Sequence, residues 1–216
     1  MASGCLACRA RPALVLANPR RILWLGALRG HCPCLEVGAS GIHRLRFFSS
    51  QPIAPLDFKE ANSLQGDVLQ AAPNTLSVLH EGVKISFFGG LSLNVVSPPD
   101  LLEACPVASL EDLAACKLAA LVNRIEIKDY LDIAALLESG LSLAYMLGCA
   151  DAVYRGEFPV AACLKSLTWF DSPELDDLSK THRQLLEKAA IAVEKIPAVT
   201  HKSSHIGALD PLRSMR

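Results

Sequence analysis

Apolar residues return at three- and four-residue intervals along 110–125, where Leu113, Leu118, Leu121, Val122 and Ile125 mark one buried face of a helix. Ser109 stands just ahead of them with Asp112 three residues on, a capping-box-like start with Asp in place of the usual Glu or Gln. The same period predicts helices over 127–138, 142–155, 159–169 and 179–195. Gly140, the stretch 156–159 and Ser172-Pro173 separate them, and Pro197 stops the last. Upstream the period changes to two. Residues 68–70, 75–80 and 83–88 read as strands, with Leu76, Val78, Ile85 and Phe87 supplying alternating faces. Glu81-Gly82 between the last two is a hairpin signal. A short helix is expected over 56–64, and a further strand over 91–96 closed by Pro98-Pro99. The pattern predicts an α+β fold: a partial mixed or antiparallel sheet over 47–104, then a helical bundle over 105–198. The tail 199–216 is expected to be disordered, with His201 and His205 solvated.

Composition narrows this picture a little. A formal net charge of −1 on 216 residues implies no strong field toward nucleic acid or a membrane surface. No apolar run approaches the ~20 residues of a spanning helix. The eight cysteines are scattered, and Cys116 and Cys163 read as small core residues, so no disulfide framework is implied. A reducing, cytoplasmic setting fits best. There are no internal repeats, and Gly89-Gly90 reads as a strand bend rather than a phosphate-cradling loop.

Residues 1–52 differ in kind, with seven arginines, no lysine and one acidic residue, Glu36. An Arg-rich, acid-poor stretch ending in Arg46-Phe47-Phe48-Ser49-Ser50 resembles an organellar transit peptide. Cys5-x-x-Cys8 with Cys32-x-Cys34 lacks the two well-spaced CxxC pairs of a zinc ribbon, so zinc is not expected. Arg20-Arg21 before Ile-Leu-Trp-Leu is followed by too short an apolar run for a twin-arginine signal.

The chemistry-bearing residues lie on the first two helices. Lys117, Leu121, Arg124 and Lys128 fall near one angular position if the helix is continuous, and Asp129 and Asp132, three apart, share a face. On residue types alone this is a solvated stripe with a Lys128–Asp132 pair, worth a few tenths of a kcal/mol, or a functional charged face.

Set in Leu/Ala-rich helix, the series Lys117, Arg124, Lys128-Asp129, Asp132 resembles the C-terminal motifs of the AbiEii/AbiGii nucleotidyltransferase toxins. The similarity continues through Gly140-Leu141, the Trp169-Phe170-Asp171 turn and the last amphipathic helix, and reaches back to Phe47. The resemblance implies a polymerase-beta-like nucleotidyltransferase that moves a nucleotide from an NTP to an RNA such as a tRNA acceptor end. A cognate antitoxin protein would restrain it, and no membrane is involved. It assigns Lys117 to triphosphate oxygens as a point charge, Arg124 to a bidentate phosphate contact, and Asp129 to the acceptor hydroxyl as base or orienting group. Lys128 and Asp132 would order that site.

In intact relatives magnesium is held by an Asp-x-Asp strand and a third carboxylate, and clamps the attacking and leaving oxygens. Here the matching positions read Arg44-Leu45-Arg46-Phe47-Phe48-Ser49, and Ser86 stands where the third carboxylate is expected. Two guanidinium groups and a neutral hydroxyl are not expected to hold magnesium tightly. Three readings follow: an active transferase, a catalytically silent module that binds antitoxin or RNA, and a remnant. Codons for Arg-Leu-Arg such as CGA-CTT-CGA read Asp-Phe-Asp one base later. The hypothesis is therefore that residues 1–46 are a shifted reading of the family's N-terminal half, poorly ordered in the protein. An open upstream frame lacking Gly-rich nucleotidyltransferase motifs in the DNA before codon 47 would contradict it.

Overall fold

The computed structural model describes residues 32–38, 41–102 and 105–207. The chain divides into two compact units, one of residues 1–92, 98–108 and 205–216, the other of 93–97 and 109–204. The first unit is built on five strands: β1 (Cys32–Gly38), β2 (Gly41–Phe48), β3 (Asp67–Ala72), β4 (Thr75–His80) and β5 (Val83–Phe88). Their spatial order is β1-β2-β5-β4-β3. β2 and β5 run parallel and the other neighbours antiparallel, so the sheet is mixed. Helix α1 (Pro55–Ala61) and a hairpin of β6 (Asp100–Leu102) with β7 (Cys105–Val107) belong to the same unit. Of the segment 1–46, residues 1–31, 39 and 40 lie outside the described residues, as do Cys5 and Cys8 of the zinc reading, while 32–38 and 41–46 lie in strands.

The alternation along β4 and β5 does what its period demands. Leu76 lies opposite Phe87 and Val78 opposite Ile85, and with Ile53 they form a core joined by Phe47, Phe58 and Leu64. The Phe87 ring stacks on Phe47 at 4.8 Å and meets Phe58 of α1 at 5.1 Å. Glu81 and Gly82 both take positive φ, 48° and 79°, the two-residue turn whose twist matches that of the flanking strands. Gly89 is a close approach rather than a nucleotide loop: a Cβ there would sit 2.7 Å from the Gln51 carbonyl oxygen.

The second unit contains α2 (Leu110–Asn123), α3 (Ile127–Glu138), α4 (Leu143–Val153), α5 (Val160–Thr168), a 3-10 turn (Pro173–Leu175) and α6 (Lys180–Ile191). Each helix lies within its expected span. Ser109, Ser142 and Ser179 start three of them by accepting a backbone N–H from three residues on. Leu118, Tyr130, Ile133, Met146, Leu147, Leu167 and Leu175 form the centre of one core. Cys163 is buried within it, as its reading as a core residue requires, and burial pushes its thiol up to about 12. Cys116 is half-buried. Trp169, the C-cap of α5, is 44 % exposed. Phe170 is the packed one, 6.1 Å from the Tyr130 ring and 5.7 Å from the Arg183 guanidinium. Among the described residues no single helix is long and apolar enough to cross a membrane.

The strand expected over 91–96 is not formed. Asn94 donates its N–H to the Val153 carbonyl (3.0 Å) and its side-chain amide to that of Ala152 (2.8 Å), both at the end of α4. Val95 makes a single bridge with Ser203. Helix-end carbonyls and a carboxylate take the hydrogen bonds that a sheet would have taken. The same strap holds part of the expected disordered tail: Lys202 N–H donates to Val95 O at 2.7 Å, and Arg155 donates to Ser204 O at 2.8 Å. Residues 208–216 lie outside the described residues.

Asp112 fastens the strap to α2. Its carboxylate accepts from the backbone N–H of Val96 (2.8 Å) and Ser97 (3.4 Å) and from the Ser109 hydroxyl (2.7 Å). Burial pushes the carboxyl above its ordinary 3.8, against those three donors. Asp112→Ala leaves two backbone donors without that acceptor and is expected to cost about 2–3 kcal/mol in urea denaturation. Because the folded value lies above the unfolded one, the group's contribution is fully present below pH 3.8 and lost as pH rises through the folded value. Asp112→Asn should flatten that decline. A wild-type minus Asp112→Asn difference that stayed constant across the acid range would contradict the assignment.

Candidate functional site

The site in the helical unit is made by a helix that ends early. α2 stops at Asn123, and Arg124 adopts an extended conformation, φ −157° and ψ 155°. Glu126, also extended, is the N-cap of α3. The break ends the continuous stripe on which Lys117, Arg124 and Lys128 were expected to align. α3 instead packs against α2. Asp129, in its first turn, lies beside the Lys117 ammonium.

Arg124 grips Asp129 with both arms of its fork, Nε to Oδ2 at 2.8 Å and Nη2 to Oδ1 at 3.3 Å. Lys117 Nζ lies 3.8 Å from Asp129 Oδ1 and 2.5 Å from Asp132 Oδ2. At the outer end, Glu126 bridges two cations, Arg124 Nη1 at 3.2 Å and Lys128 Nζ at 2.6 Å. Charges therefore alternate through Asp132, Lys117, Asp129, Arg124, Glu126 and Lys128, with three of each sign. The Lys128–Asp132 pair of the solvated-stripe reading is replaced: Lys128 pairs with Glu126, and Asp132 with Lys117. All five expected residues come together, and Glu126 joins them. Its signal in the sequence was the alternation Arg124-x-Glu126-x-Lys128, which a helical reading places on different faces.

Burial is graded along this chain. The side chains of Asp129 and Lys117 are 0 % and 4 % exposed, while Arg124, Glu126, Lys128 and Asp132 each keep about a third of their surface in water. An enclosed carboxylate needs its charge met, and Asp129 is met by Arg124, by Lys117 and by the positive end of α3.

The second group of positions lies in the sheet unit. In the parallel pairing of β2 with β5, Arg44 stands beside Lys84 and Arg46 beside Ser86. Ser86 is buried, and its hydroxyl is 2.8 Å from that of Ser77 on β4. No group of three His, Cys, Asp or Glu able to hold a metal ion occurs among the described residues.

Residues 54–200 match the family model described as Nucleotidyl transferase AbiEii toxin, Type IV TA system. The chain belongs to the AbiEii nucleotidyltransferase toxin family. Comparison with curated proteins and with solved structures gave no match. Nucleotidyltransferases of this kind generally use magnesium. The strands do set the expected ligand positions side by side, because Arg46 and Ser86 are register neighbours. The side chains do not suit the ion. A guanidinium about 5 Å from a divalent cation repels it by roughly 7 kcal/mol at an effective dielectric of about 20, and a serine hydroxyl contributes no compensating charge. The group does not fit these residues.

The graded burial of the ion chain separates a held cluster from a solvated stripe. Lys117→Met should lower stability by about 3 kcal/mol in urea denaturation, since it leaves two neighbouring carboxylates short of a counter-charge. Lys128→Ala, at the watered end, should cost no more than about 0.5 kcal/mol. Equal effects would contradict the description.

Proposed function

We propose that this chain is an AbiEii-type toxin module that keeps the family's phosphate- and hydroxyl-handling helical cluster and is silent as a transferase. In intact relatives the reaction is transfer of a nucleotide from an NTP to an RNA acceptor resembling tRNA, in the cytoplasm and under control of an antitoxin protein. In this reading Lys117 and Arg124 are the triphosphate contacts and Asp129 orients the acceptor hydroxyl. Asp132 holds Lys117, and Lys128 acts through Glu126 on Arg124. The observation that carries the reading is Arg46 beside Ser86 on adjacent parallel strands, where the metal carboxylates of an active enzyme would stand.

The closed charge balance of the helical cluster supports the same reading. Three carboxylates already meet Lys117, Arg124 and Lys128. A triphosphate would have to compete with those carboxylates, and no metal charge would help it. Antitoxin or RNA binding needs no such exchange.

Purified protein incubated with magnesium, labelled NTPs and total tRNA should transfer no label above background, while still binding its antitoxin. Magnesium-dependent labelling of RNA that disappears in Lys117→Ala would overturn the silent reading in favour of an active enzyme.

A further inference from the structure

We propose that Glu126 is a built-in competitor for the phosphoryl group of a polyphosphate ligand. Its carboxylate occupies the place between Arg124 and Lys128 that two phosphoryl oxygens would take, and the ligand enters by displacing it. This rests on the reading above that the helical cluster handles phosphate. Local backbone geometry brings the three residues together. Arg124 (φ −157°, ψ 155°) and Glu126 (φ −134°, ψ 122°) are both extended, so their side chains, two apart, project to one side of the chain. Lys128 follows as the second residue of α3. Glu126 Oε1 lies 3.2 Å from Arg124 Nη1, and Oε2 lies 2.6 Å from Lys128 Nζ. A phosphoryl group presents oxygens to the same two cations in the same way, with more negative charge behind them.

Of the three carboxylates in the cluster, Glu126 is the one that can leave. Asp129 is enclosed and held by Nε and Nη2 of Arg124, so displacing it would strand a charge away from water. Asp132 pairs with Lys117, whose ammonium is enclosed and out of an incoming ligand's reach. Glu126 is 39 % exposed, between cations that are themselves about a third exposed, so it regains its hydration when it swings out. Its side chain makes no capping hydrogen bond to α3, and its departure leaves that helix end unchanged. Arg124 keeps both bonds to Asp129 while Nη1 changes partner, so the exchange stays at the outer end of the cluster. While it is in place, the Glu126 carboxylate both fills the position and repels an approaching phosphate.

The test is isothermal titration of the full chain with inorganic tripolyphosphate in EDTA. Glu126→Gln, which keeps the shape and removes the charge, should bind about tenfold more tightly than the wild type, the scale of one charge-assisted contact no longer contested. Glu126→Ala should act in the same direction. Adding Lys128→Gln to Glu126→Gln should remove the gain. Glu157→Gln, which removes an exposed carboxylate elsewhere, controls for net charge and should leave the affinity unchanged. The unliganded variants should melt with the wild type, because exposed ion pairs contribute little to stability. ATP should compete with tripolyphosphate for Glu126→Gln. A merely structural Glu126 gives the opposite sign, weaker binding on its loss. Binding by Glu126→Gln no tighter than that of the wild type, or absent in both, would overturn the proposal. So would a gain that survives Lys128→Gln, an equal gain in Glu157→Gln, or displacement by single-stranded RNA better than by ATP. Magnesium-dependent label transfer by the wild type sinks the silent reading alone, since the ratio of affinities is measured without metal.

Discussion

A charge withdrawn from water must have its counter-charge within reach, and the helical unit of this chain is organised by how it meets that demand. In the helical unit it is met from within. Asp129 is wholly enclosed, and Arg124 and Lys117 stand on either side of it. Each of those cations then needs a further carboxylate, supplied by Glu126 and Asp132. The chain of alternating charges runs outward until Lys128 and Asp132 reach water. In the sheet unit, Arg44 stands beside Lys84 and Arg46 beside Ser86 across β2 and β5.

The closed cluster exists because the backbone breaks between Asn123 and Ile127. Had α2 run on, Arg124 would have lain five residues and about 140° round the helix from Asp129, out of reach of its carboxylate. The extended residues Arg124 and Glu126 turn the chain so that the first turn of α3 faces α2. Apolar packing sets the direction of that turn: Tyr130, Ile133 and Leu136 of α3 enter the same core as Leu118 and Leu121 of α2. Packing positions the helices, and the ion cluster fixes one arrangement of the side chains between them.

Most of the fold was legible in the residues themselves. Period-two alternation placed β4 and β5 at their observed bounds, and period-three-and-four alternation placed five helices, because each buries a single continuous face. What was misread shares one cause, which is a partner distant in sequence. Residues 91–96 are apolar enough for a strand, but their hydrogen bonds go to α4, to Ser203 and to Asp112, and local pattern is blind to all three. The tail was read as free for the same reason, and Gly148 shows what its first residue meets: a Cβ on that helical residue would fall 3.0 Å from the Val199 side chain. In the candidate site the participants were legible and the pairing was not. Helical spacing paired Lys128 with Asp132, whereas the break gave Asp132 to Lys117 and brought in Glu126.

The family match covers residues 54–200, and at the positions read from the sequence as those of the metal carboxylates this chain carries Arg44, Arg46 and Ser86. Direct divalent-ion binding tests this most plainly. In a titration of the protein with Mn²⁺ followed by electron paramagnetic resonance, the signal of the free aqueous ion should rise in proportion to the metal added through the micromolar range. A stoichiometric loss of that signal, one or two ions held per chain at micromolar concentration, would contradict the account.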